Sequence, residues 1–183
     1  MKGIIFVELL AMAEDAFGEA SVDRVIDEAT LPSGGAYTAV GNYPCEELMA
    51  LVRGFSAHSG IPGTELQRLF GNWMMQSFVR HYPAFFAGKA GSLDMLAAIE
   101  GEIHVEVRKL YPDAELPAFD AVRHGADVMD LTYRSPRPLA DFCEGLIEGC
   151  VAWFGQTAEI TRSDRDRDGL TQAEFNIRTG PGA

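Results

Sequence analysis

Tyr133, Ser135 and Arg137 stand two positions apart in the run Tyr133-Arg134-Ser135-Pro136-Arg137. In an extended segment residues at i, i+2 and i+4 share one face, so the three present a phenol, a hydroxyl and a guanidinium to one spot. All three are hydrogen-bond donors, and a guanidinium fork meets a carboxylate or phosphate through two parallel bonds. The set therefore suits one or two carboxylates or phosphates. Its bland alternative is a polar strand end facing water, common on the open face of a sheet.

His104 is the second candidate. Leu96, Ala97, Glu100, Val107 and Tyr111 share its side of a helix. A neutral imidazole there can bind a metal through one nitrogen while a hydrogen bond fixes the other. The alternative is a boundary histidine satisfied by a backbone carbonyl. No second His, Cys or carboxylate lies at zinc spacing from it, so a metal held here must bring its own equatorial ligands. His58, His81 and His124 adjoin loop signals and read as exposed.

Other motifs carry less. Asp164-Arg165-Asp166-Arg167-Asp168-Gly169 matches the first half of an EF-hand loop, but Phe175 stands where the closing glutamate belongs and Glu174 comes one residue early. Leu170, Ala173, Phe175 and Ile177 make no helical face, so a hairpin turn with solvated acids is the expectation. Glu102 and Glu106, one turn apart, read as a wet face. The chain shows no Gly-x-Ser-x-Gly, no P-loop and no nucleophile–base pair, which argues against an enzyme.

These residues must be placed by a chain that changes period midway. Apolar spacing predicts helices over 2–17, 19–30 and Cys45–His58. Thr64-Glu65-Leu66-Gln67 has capping-box spacing and opens a helix through Trp73 to Tyr82, stopped by Pro83. A further helix starts at Ser92 and turns Leu93, Leu96, Ile99, Ile103, Val107 and Leu110 inward, ending at Pro112. From Phe119 the period becomes two: strands at 118–122 and 127–134 flank a His124-Gly125 turn. Pro138 opens a helix bearing Leu139, Phe142, Cys143, Leu146, Cys150 and Trp153, and strands at about 157–162 and 170–178 complete the chain. The expected class is α+β, helices first and a small antiparallel sheet with an inserted helix after, in one domain over 1–183.

Composition narrows the partners. Fifteen Lys and Arg stand against 27 Asp and Glu, a net charge of −12, which disfavours nucleic acid and anionic membranes. Apolar residues at 47 % and charged residues at 23 % are those of a globular protein. The apolar run Gly3–Val7 is cut by Glu8, far short of the ~20 residues a membrane span needs. Cys143 and Cys150, seven apart on one helix, lie ~10 Å apart, beyond disulfide reach. With Cys45 they fit a reduced, cytoplasmic compartment.

A metal that supplies its own equatorial ligands is haem iron, and here the sequence resembles one family. Met-Lys-Gly-Ile-Ile-Phe at the start, Phe85-Phe86-Ala87-Gly88, Gly101-Glu102-Ile103-His104-Val105-Glu106-Val107, Tyr133-x-Ser135-x-Arg137 and Glu144-Gly145-Leu146-Ile147-Glu148-Gly149 are similar in order and separation to the H-NOX (haem nitric oxide/oxygen-binding) domain. The likeness is to its stand-alone bacterial type, related to the haem domain of soluble guanylate cyclase. It covers about residues 1–178.

The resemblance implies haem b (iron protoporphyrin IX) with His104 as proximal iron ligand. Tyr133, Ser135 and Arg137 would then hold the propionates and Pro117 would pack on the porphyrin. Ile5, Leu9, Met74, Phe78, Phe142 and Leu146 would wall the distal side. Members that hold oxygen stably carry a tyrosine five residues past the arginine; here that position is Phe142, which donates no hydrogen bond. The implied function is sensing of NO and CO with exclusion of O2, signalled to a separate effector chain, a histidine kinase or a cyclic-di-GMP enzyme. The zinc site near the C-terminus of some relatives is not expected, since no cysteine follows Cys150. The alternative from another class is a cofactor-free or calcium-responsive interaction module.

Overall fold

The computed structural model describes residues 1–165 and 169–181. Helices come first: α1 (Ile4–Phe17), α2 (Glu19–Glu28), α3 (Cys45–Ser59), α4 (Gly63–His81), the short α5 (Pro83–Phe86) and α6 (Ser92–Ala97). A π-turn (Ile99–Ile103) leads directly into α7 (His104–Leu110). Strands β1 (Ala118–Arg123) and β2 (Val128–Ser135) follow, then α8 (Ala140–Trp153), β3 (Gln156–Asp164) and β4 (Thr171–Pro181). The four strands form one antiparallel sheet in the order β1-β2-β4-β3. The α+β class and the helices-then-sheet order match the sequence reading.

Two apolar clusters build the interior. Phe6, Leu9, Leu48, Leu51, Phe55, Leu66, Phe70 and Met74 fill the helical part. Met129, Leu131, Tyr133, Ala173, Phe175 and Ile177 line the inner face of the sheet against Cys143, Ile147 and Cys150 of α8 and Leu93 and Leu96 of α6. Register explains the strand face: Leu131 stands opposite Phe175 and Tyr133 opposite Ala173, so alternate residues of both strands point inward together. Phe78 and Leu146 pack against both clusters and join them.

Three local expectations fail. Thr64 does not cap α4, because extended Pro62 occupies the N-cap and the helix is already under way at Gly63. No side chain bonds this N-terminus, and Gln67 is buried with its Oε1 unbonded among the described residues. The expected helix from Ser92 is broken into α6, the π-turn and α7, and the break rotates Leu110 outward to 64 % exposure. Trp153, read with the apolar face of α8, is 54 % exposed at the helix end, edge-on to Phe86. The helix covers its core with Cys143, Ile147 and Cys150 and has turned away by Trp153.

The acidic turn is flanked by strands, as its alternation predicts, and Asp164 pairs with Arg162 and Glu174 with Arg165. Asp166, Arg167 and Asp168 lie outside the described residues. Among the described residues no helix is long and apolar enough to cross a membrane.

Candidate functional site

His104 opens α7 at the point where the π-turn ends, and its backbone N–H bonds the carbonyl of Ile99. Such single π-turns insert an extra residue into a helix and recur at functional positions. The imidazole is buried, with 8 % exposure. Its Nδ1 lies 2.9 Å from Glu100 Oε2, and among the described residues nothing bonds Nε2. Burial holds the ring below its ordinary value against an opposing pull from Glu100. The ring is thus neutral near pH 7, with Nδ1–H donated and the Nε2 lone pair available.

Burial pushes the Glu100 carboxyl up, but Arg108, His104 and the Phe119 N–H outweigh it and hold the group below the usual carboxylate range. Those contacts are specific: Arg108 donates to Oε1 at 2.9 Å and Phe119 N–H to Oε2 at 3.3 Å.

The donor triplet is assembled at the end of β2. Tyr133 and Ser135 are both buried on its inner face, and Arg137 follows just past the strand. Burial pushes the Tyr133 phenol up to about 12, so it remains a protonated donor. Ser135 Oγ accepts the Arg137 N–H at 3.1 Å and so sets the course of the chain there. The Arg137 guanidinium reaches Glu115, donating to its carbonyl at 2.7 Å and its carboxylate at 2.5 Å. Glu115 is largely exposed and Arg137 is not; the guanidinium already holds a carboxylate from the solvent side. Phe119 connects triplet and histidine, since its ring lies 5.7 Å from that of His104 and 5.6 Å from that of Tyr133. Pro117, half-buried, stands just before β1 on the same approach.

Ile5, Leu9, Met74, Phe78, Phe142 and Leu146 are gathered in one apolar cluster from α1, α4 and α8. Phe142 packs on Phe70 with centroids 4.9 Å apart. Sequence reasoning missed what lies between α1 and α4. Glu8, read as a charge interrupting an apolar run, is 8 % exposed and accepts Trp73 Nε1–H at 2.9 Å and Ser77 O–H at 2.6 Å. His81 closes the chain with Nδ1 2.9 Å from the Ser77 carbonyl. The helical phase was the available signal, because Glu8 lies one position from Leu9 and four from Met12 on the buried side.

The donor set fits haem. One buried imidazole offers Nε2 to a metal, and a phenol, a hydroxyl and a guanidinium offer their protons to carboxylates. Among the described residues no cluster of three or more His, Cys, Asp or Glu forms a metal cage of its own.

A helical part followed by a four-stranded antiparallel sheet, with a buried histidine where the two meet, offers one metal ligand beside a set of carboxylate-binding donors. The family model described as Haem-NO-binding matches residues 2–162. The Fe(II) unliganded H-NOX protein from K. algicida is 36 % identical, with a TM-score of 0.92 over 100 % of this chain and 98 % of that one. The H-NOX from Shewanella woodyi, solved bound to IWP-051 in the Fe(II)CO state, is 40 % identical, with a TM-score of 0.82 over 99 % and 95 % of the two chains. An I5F mutant of T. Tengcongensis H-NOX, 22 % identical with a TM-score of 0.88 over both full chains, shares the fold. No functionally curated protein matches. The chain belongs to the H-NOX family, whose domains bind haem and sense diatomic gases.

Proposed function

We propose that this protein is a single-domain cytoplasmic sensor that binds NO and CO at a His104-ligated ferrous haem b, excludes O2, and is not itself an enzyme. The observation that carries it is the buried imidazole of His104, held by Nδ1 and open at Nε2. Tyr133, Ser135 and Arg137 hold the two propionates, Pro117 packs on the porphyrin, and Ile5, Leu9, Met74, Phe78, Phe142 and Leu146 wall the gas side. The haem iron supplies a coordination position for a diatomic gas.

The chain's own residues supply the selectivity. None of the six wall side chains carries an N–H or O–H. On α4, Trp73 and Ser77 both donate to Glu8. A ligand that needs a hydrogen bond finds none among these six side chains, whereas NO and CO depend far less on one. Transmission starts at α7. A pull on His104 reaches the π-turn through the backbone and β1 through Glu100, which is bonded to the Phe119 N–H. Both elements lie where helices meet sheet, and their displacement is what a separate effector chain, a histidine kinase or a cyclic-di-GMP enzyme, reads.

The test is an absorption spectrum of protein expressed with haem supplied. A histidyl ferrous spectrum at one haem per chain is expected, and His104→Gly should abolish it until imidazole is added. A wild type that takes up no haem, or a variant with the unchanged histidyl spectrum, overturns the reading.

A further inference from the structure

We propose that Glu100 is a positioning residue for His104: its carboxylate fixes which imidazole nitrogen faces the haem and sets how firmly that nitrogen grips iron. The inference rests on His104 being the proximal ligand.

Three donors from two parts of the fold converge on this carboxylate. His104 Nδ1–H and the Phe119 N–H share Oε2 at 2.9 and 3.3 Å, and Arg108 takes Oε1 at 2.9 Å. Phe119 belongs to β1, so the carboxylate is held across the helix–sheet boundary as well as along the helix. The π-turn sends the His104 backbone N–H to Ile99, which leaves Glu100 joined to His104 through side chains alone.

A carboxylate that accepts the second N–H of a ligating imidazole fixes its tautomer and raises its basicity. Here the push on Nε2 is moderated from two sides: Glu100 is 38 % exposed, and Arg108 draws charge to Oε1. Arg108 and Glu100 therefore act on the histidine with opposite signs. A plain surface ladder of Glu100, His104 and Arg108 at successive turns would lack the bond from the Phe119 N–H of β1 that ties this carboxylate to the sheet.

The test compares Glu100→Gln, Glu100→Leu and Arg108→Leu in the haem-loaded chain by resonance Raman, and the haem-free chain by ¹⁵N NMR of the His104 ring. Gln keeps an acceptor oxygen without charge and should lower the iron–histidine stretching frequency. Leu should lower it further and raise haem loss about tenfold, the low end for losing such a partner. Arg108→Leu should raise the frequency. Without haem, the wild-type ring should carry its proton on Nδ1, and Glu100→Leu should shift it toward Nε2. Equal frequencies across the series, with haem bound and His104 still ligated, overturn the role of Glu100 and leave His104 as ligand. The same holds if only thermal stability changes. A wild type with no iron–histidine stretch instead overturns the His104 assignment itself.

Discussion

Gly71 of α4 and Gly145 of α8 meet backbone to backbone. A Cβ on Gly145 would overlap the carbonyl of Arg68, and one on Gly71 would overlap the carbonyl of Phe142. The absence of both side chains is what lets the helices approach so closely, and it sets the depth of Phe142 and Leu146 in the apolar wall. Gly145→Ala must push backbone away from backbone, at a cost of about 3 kcal/mol, the upper end for overpacking. Thermal unfolding should fall by roughly 2–4 °C for each kcal/mol. Gly149→Ala, whose new Cβ meets the Met75 side chain at 2.9 Å, should cost visibly less. Equal melting temperatures for the two variants would show that the close approach is not tightly enforced.

Arg137 and Glu115 make opposite predictions for haem retention. With Arg137 holding a propionate as proposed, removing the guanidinium in Arg137→Ala takes away a charge-assisted partner worth ~2–3 kcal/mol, so transfer of haem to an apo-acceptor should quicken by roughly 30-fold or more. Glu115 occupies the same guanidinium from solvent, so Glu115→Ala should leave transfer unchanged or slow it. Faster transfer in both variants would mean that Glu115 supports the site rather than competing for Arg137.

The elements were legible in the sequence wherever a period ran unbroken, as in α1, α4, α8 and the alternating strands. The π-turn was not, because Leu93, Leu96, Ile99 and Ile103 keep helical spacing across it. One extra residue per turn shifts the register without disturbing an apolar pattern that short. The triplet and His104 could be found from local spacing. The Glu8 contacts with Trp73 and Ser77 span 65 and 69 positions, and no local rule reports a partner so far along the chain. Thr64 shows the converse: its spacing matches a cap, but the extended Pro62 has already set where α4 begins.

Alkali should unfold this protein early. Burial pushes Cys150 up to about 12 and raises Cys143 further, and Tyr37 and Tyr133 are pushed up to about 12. Each group keeps its proton in the folded chain at a pH where the unfolded chain has lost it. The unfolded state then binds fewer protons, and stability falls as pH rises. The contribution is intact below about pH 9, the ordinary value for a thiol, and is lost progressively toward pH 12. Urea midpoints should be level from pH 7 to 8.5 and drop beyond 9. The double variant Cys143→Ala/Cys150→Ala should lose less of its own midpoint over the same interval. A midpoint that stays level to pH 11 would show that these groups are not sealed from solvent.

In the function proposed above, selectivity for gas turns on Phe142. It sits on α8 one turn before Leu146, its ring against Phe70 and its backbone against Gly71. The six side chains of the wall carry no donor, and the nearby α4 side chains Trp73 and Ser77 donate to Glu8. Oxygen bound to ferrous iron carries negative charge on its outer atom, and a hydrogen bond to such an acceptor is worth ~1.5–3 kcal/mol. Its absence weakens oxygen binding by roughly one to two powers of ten, while NO and CO lose little. Ferrous wild-type protein should therefore bind NO and CO yet stay unligated, or oxidise slowly, in air. Phe142→Tyr adds a hydroxyl to the same ring and should raise oxygen affinity by about tenfold or more, with CO affinity nearly unchanged. Glu8→Leu should shift the balance in the same direction by a separate route, since it frees the Trp73 N–H, whereas Ser77 keeps His81 within reach. Parallel titrations of the ferrous proteins with O2 and CO decide the matter. A wild type that forms a stable oxygen complex in air would show that some other donor reaches the gas.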